Sequence, residues 1–116
     1  MTQGQGPGEP VSELLSITRS DDDRGVVLAL SGELDVLSAP ELEMHLTGLA
    51  SDACPRVLLD LSRLTFVDSS GVSVLVKAKH EAEASGRRVI LRSPTEPVRQ
   101  VFSVVGLADW LAYEDA

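Results

Sequence analysis

The sequence predicts a small mixed α/β domain, in which an N-terminal β-hairpin leads into alternating helices and strands and the helices pack on one sheet. Three observations carry this expectation. Leu15 and Ile17 alternate with Ser16 and Thr18 before a polar run and a second apolar segment, which is the pattern of two paired strands. Val57-Leu58-Leu59 and Val89-Ile90-Leu91 are short continuous apolar runs, as in strands buried on both faces. Between the runs, apolar residues recur at helical spacing.

Residues 1–11 are rich in Gly, Pro and Gln and read as a flexible tail, leaving 12–116 as one domain. The hairpin pairs a strand around Leu15–Ile17 with one over Val26–Leu30, and Ser20-Asp21-Asp22-Asp23-Arg24-Gly25 breaks between them. Adjacent aspartates can suggest a metal site, but in this position they read as a solvated turn. After Gly32-Glu33-Leu34-Asp35, the run Ser38-Ala39-Pro40-Glu41 has the spacing of a capping box. Ala39, Leu42, Leu46 and Leu49 then mark the inner face of a first helix. Because this helix intervenes, a third strand over Arg56–Leu61 should lie parallel to the second.

A second helix is expected from about Ser70 to Ala84, with Val72, Leu75, Val76 and Ala82 inward and Ser85-Gly86 as its stop. The strand around Val89–Leu91 leads to a third helix, capped by Thr95 or Ser93. Its inner face is Val98, Val101, Phe102 and Val105, and it ends at Gly106. A short edge strand over Asp109–Tyr113 closes the chain.

Composition narrows the function. A net charge of −8 repels a phosphate backbone, and with aromatics at only 3% there is little to stack on bases, so no direct nucleic-acid partner is expected. The same charge disfavours anionic membrane surfaces. No apolar run approaches the ~18 residues of a membrane span, and the N-terminus lacks the pattern of a secretory signal, so a cytoplasmic location is expected. The lone Cys54 cannot form an internal disulfide and reads as structural.

Enzyme chemistry finds few materials. A serine nucleophile needs a base, and the only histidines, His45 and His80, fall on polar helix faces. G-x-S-x-G, the phosphate-loop pattern and G-x-G-x-x-G are absent, and one cysteine with two separated histidines gives no zinc-ligand spacing. Asp60, at the end of a central strand, could be a phosphoacceptor. It lacks the companion acidic pair beside the sheet and a lysine after a late strand. No enzymatic activity and no cofactor are expected.

Asp68-Ser69-Ser70-Gly71 remains, where a strand passes through a loop into a helix. One reading is a plain N-cap, with Gly71 allowing close backbone approach. The other starts from redundancy. A cap needs one oxygen, and three candidate side chains arrive together, so a hydroxyl is left to face solvent where a helix N-terminus favours negative charge.

The segment LDLSRLTFVDSSGVSVLVKA resembles the signature of anti-sigma factor antagonists, a bacterial branch of the STAS (sulfate transporter and anti-sigma factor antagonist) domain family. LSGELDVLSAPELEMHL, from Leu30 to Leu46, is similar to that family's G-E-L-D-x-x-[ST]-A-P region. PVRQVFSVVGLADWLAY, from Pro97 to Tyr113, resembles its last amphipathic helix and exit. The likeness spans about Leu14 to Tyr113 and implies a STAS-like fold.

By resemblance, Ser69 is the residue phosphorylated by a partner, with Ser70 as the alternative and the more natural local cap. The partner implied is an anti-sigma factor with a histidine-kinase-like ATPase fold that acts as a serine kinase. The unphosphorylated antagonist holds this partner and frees the sigma factor; the phosphorylated form lets go, and a PP2C-type phosphatase resets it. Asp35, Asp68, Ser69, Ser70 and Gly71 are the expected partner-binding positions, with Asp35 placing the hydroxyl or meeting the partner. Many relatives continue into a further helix where this sequence stops at Ala116. The alternative function is an unmodified STAS scaffold or adaptor in a signalling or transporter-associated complex.

Overall fold

A computed structural model describes residues 14–49 and 55–107, and the backbone of 112–114. The elements in chain order are β1 (Leu15–Asp22), β2 (Gly25–Leu34), α1 (Ala39–Gly48), β3 (Arg56–Val67), α2 (Ser69–Ala84), β4 (Arg88–Arg92), α3 (Glu96–Val104) and β5 (Ala112–Glu114). One mixed sheet runs β1-β2-β3-β4-β5. β1 and β2 are antiparallel, while every pair separated by a helix is parallel, as the crossovers require.

The hairpin is tighter than expected. β1 does not break at Ser20 but continues to Asp22, with Ser20 paired to Val27 and Asp22 to Gly25. An edge strand tolerates polar residues once its backbone is paired, which is why composition misplaces this end. Asp22 Oδ1 accepts from Arg24 N at 2.8 Å and Gly25 N at 3.0 Å, closing the turn, and its other oxygen lies 3.5 Å from Arg56. The bond from Arg24 N contributes most to lowering the Asp22 carboxyl below its usual pKa. Asp22 therefore serves the turn itself.

β3 is also longer than its apolar run. It extends beyond Leu61 to Val67, and its pairing with β2 shifts register twice, between Ala29 and Ser31 and between Gly32 and Glu33. Such bulges bend a strand and reset which residues face inward. Burial falls at Leu59, Leu61, Leu64 and Val67, a spacing that matches no single period.

All three helices pack on one sheet face. Val26, Leu28, Val57, Leu59, Val89 and Leu91 join Leu42, Leu75, Val98 and Phe102 in a single core. Leu58 and Ile90, paired across β3 and β4, alternate onto the opposite face and are buried as well, as continuous apolar runs imply. In α3, Val98 and Phe102 are fully enclosed, whereas Val105, expected inward, is 47% exposed because the chain has already left the helix. Gly106, at φ +76°, makes that exit, with Leu107 N bonded to Phe102 O. Thr95 occupies the N-cap position of α3, but its hydroxyl donates to Leu64 O at 2.6 Å instead of capping. The expected tail, Cys54 and the beginning of the final edge strand lie outside the described residues.

Candidate functional site

β2 and β3 end side by side. Leu34 pairs with Val67, and Asp68 N donates to Leu34 O at 3.1 Å, so the loop opening at Asp35 adjoins the turn opening at Asp68. Both loops lead directly into helices, which brings the N-termini of α1 and α2 to the same end of the sheet.

Asp68 is the N-cap of α2. Its backbone is extended (φ −112°, ψ −172°), and Oδ1 accepts from Ser70 N at 2.9 Å and Gly71 N at 3.1 Å. The expectation that Ser70 caps the helix is thus corrected. α2 begins at Ser69, so both serines already have helical backbone, and only the residue before them can turn its oxygen back onto free N–H groups. The cap consumes neither hydroxyl. Ser69 is exposed and Ser70 half-buried.

Gly71 anchors the turn from below. A Cβ there would lie 2.7 Å from both Leu34 Cγ and Val67 Cγ2, closer than carbon atoms pack. Its missing side chain lets α2 sit directly on the ends of β2 and β3, which holds Ser69 at a fixed height above the sheet.

Asp35 is engaged within its own loop. Its Oδ1 accepts from Leu37 N and Ser38 N, both at 3.0 Å, and from Ser38 Oγ at 3.1 Å. The single Ser38 hydroxyl proton is shared between Asp35 Oδ1 and Glu33 O, 2.9 Å away, while Oγ accepts from Asp35 N at 2.9 Å. Ser38 is completely buried and makes no side-chain cap on α1, so the expected capping box with Glu41 does not form. Sequence reasoning missed this role. The signal was present in Asp35-x-x-Ser38, whose spacing suits a reciprocal turn as well as Ser38-x-x-Glu41 suits a box.

Around these turns the surface is unusually apolar for so acidic a chain. Val36 is 64% exposed, Leu37 59% and Phe66 46%. Phe66 and Val67 also border a shallow depression of about 340 Å³ against Val101 and Val104 of α3.

The other candidates are not gathered here. His80 lies eleven residues beyond Ser69 on α2, about 16 Å along the axis. His45 is exposed on α1, with Nδ1 against Glu41 O. Asp60 lies within β3 and meets Ser62 N at 3.0 Å and Arg92 at 3.4 Å. Burial opposes its charge, but the Ser62 bonds and the Arg92 guanidinium outweigh that and hold its carboxyl below the usual value. Among the described residues no cluster of His, Cys, Asp and Glu is arranged to hold a metal ion, and no helix is long and apolar enough to cross a membrane.

Residues 17–113 match the family model described as Mlab, STAS domain. The chain belongs to the STAS domain family. Among STAS relatives, the anti-sigma F factor antagonist of Lysinibacillus sphaericus is 32% identical over 87 residues, covering 74% of each chain. The anti-sigma factor antagonist SpoIIAA in its unphosphorylated form superposes with a TM-score of 0.75 at 33% identity, over 87% of this chain and 88% of that one. The Bacillus cell fate determinant SpoIIAA in the phosphorylated form gives 0.69 at 31% identity, over 87% and 91%. The STAS fold expected from the sequence, a mixed sheet opened by a hairpin and packed with helices, is the fold observed.

Proposed function

We propose that this STAS domain is an anti-sigma factor antagonist whose hold on its partner is switched off by phosphorylation of Ser69. The observation that carries the reading is the exposed Ser69 at the first position of α2, with the capping role already taken by Asp68. Relatives bearing the antagonist name, and the likeness to SpoIIAA in its phosphorylated form, support it.

The chemistry follows from the surroundings. Unmodified, Ser69 is a small neutral group at the end of the sheet where Val36, Leu37 and Phe66 are exposed, suited to close packing against another protein. A phosphate adds about −1.5 to −2 charges at neutral pH. Ser70 N and Gly71 N, which would otherwise receive it, are bonded to Asp68, so the phosphate stays outside the helix and beside a carboxylate. Charge repulsion and desolvation then fall on the interface, while the fold keeps its cap. Likeness of this chain to both phosphorylation forms of SpoIIAA agrees with a switch that leaves the fold intact.

The partner is an anti-sigma factor with a histidine-kinase-like ATPase fold that supplies the ATP and acts as serine kinase, and a PP2C-type phosphatase restores the hydroxyl. Asp35, Asp68 and Ser70 frame the contact, and Gly71 holds the turn from beneath it. Incubation with such anti-sigma factors and ATP, followed by peptide mapping, should place the phosphate on Ser69. Phosphate on Ser70 would move the switch by one residue. An ATP-independent complex without phosphate would indicate an adaptor instead.

A further inference from the structure

The role of Asp35 can be taken beyond membership of the contact surface. We infer that Asp35 is a positioning residue whose acceptor oxygen, and not its negative charge, is what partner recognition requires. This rests on the antagonist reading above. Asp35 Oδ1 takes two backbone donors, Leu37 N and Ser38 N, and a share of the single Ser38 hydroxyl proton, all from the loop that follows it. Ser38, with no exposed surface, closes the ring by accepting from Asp35 N and donating to Glu33 O. The two side chains form a clasp across the exit from β2.

The clasp turns Val36 and Leu37 outward, 64% and 59% exposed, on the strand exit whose preceding residue, Leu34, is bonded to the Asp68 backbone. Holding two apolar side chains in water has no benefit to the isolated fold. It has one if they contact the partner that also covers Ser69. Because Oδ1 is saturated by neutral donors, an amide oxygen in the same place would close the same ring. A residue acting through charge, by orienting the Ser69 hydroxyl or pairing with a basic partner group, would not survive that exchange.

The test compares Asp35→Asn, Asp35→Ala and Ser38→Ala in the full chain, using partner affinity without ATP, the rate of phosphorylation, and amide hydrogen exchange at Leu37 and Ser38. Asp35→Asn should retain wild-type exchange protection and bind within about threefold of wild type. Asp35→Ala and Ser38→Ala should lose that protection and weaken binding by about tenfold, the loss expected for one turn-capping interaction. Val36→Ser with Leu37→Ser should weaken binding with protection unchanged, separating display from contact. If Asp35→Asn binds as poorly as Asp35→Ala while keeping its protection, the charge acts directly and the inference is overturned. Hydrogen exchange needs no partner, so loss of protection in Asp35→Asn would also overturn it. Failure of the wild-type chain to bind any anti-sigma factor would instead count against the functional reading.

Discussion

Ser69 and Gly71 stand two positions apart on the first turn of α2 and face opposite ways, one to solvent and one onto Leu34 and Val67. Replacing Gly71 by Ala improves helix propensity by up to about 1 kcal/mol. It also forces a methyl group into contacts of 2.7 Å with two enclosed side chains. Overpacking of this kind costs about 1–3 kcal/mol, so a net destabilisation of about 1–2 kcal/mol is expected in urea unfolding. An unchanged midpoint would mean that the β2 and β3 ends yield easily. Ser69→Ala, by contrast, touches neither cap nor core, and its unfolding midpoint should stay at the wild-type value.

At the scale of elements, α2 depends on Asp68. Asp68→Ala should destabilise the chain by about 1 kcal/mol, and Asp68→Asn should recover most of that because an amide oxygen can accept the same two N–H bonds. Thermal unfolding of the three proteins checks this. Much of the architecture was legible at this level. The helical spacing of Val72, Leu75 and Ala82 and the continuous runs in β3 and β4 reflect burial against a regular lattice, and every one of these residues is buried. The parallel arrangement followed from helix crossovers alone. What escaped the reading lies where regular periods fail. Bulges in the β2–β3 ladder hid the last half of β3, and paired backbone carried β1 through three polar residues. The site was legible as a location but not in its division of labour. One-dimensional spacing offers Ser70 and Asp68 equally as caps, and only the start of the helix decides between them.

For the whole molecule, acid sensitivity is tied to Asp60 on β3 and Arg92 on β4, which face each other across the sheet pairing. Burial works against the Asp60 charge, but the bonds from Ser62 and the Arg92 guanidinium leave its folded pKa below the ordinary value. The ionised group therefore stabilises the fold above the unfolded value of about 3.9. That contribution is lost as pH falls through the lower folded value. Asp60→Asn should accordingly be less stable than wild type near pH 7, with the difference narrowing as the pH is taken below about 3.9. A gap that stays constant with pH would show that Asp60 contributes through packing alone.

The same separation of fold from surface charge underlies the proposed switch, since a phosphate on Ser69 meets an already completed cap and changes only what the neighbouring protein encounters. The most direct test is the dissociation constant of the complex with the cognate anti-sigma factor, measured by calorimetry for the unmodified chain and for the chain stoichiometrically phosphorylated on Ser69. Phosphorylation is expected to weaken binding by at least about 100-fold, or roughly 2.7 kcal/mol, with the circular dichroism of the free chain unchanged. Equal affinity of the two forms would contradict the account.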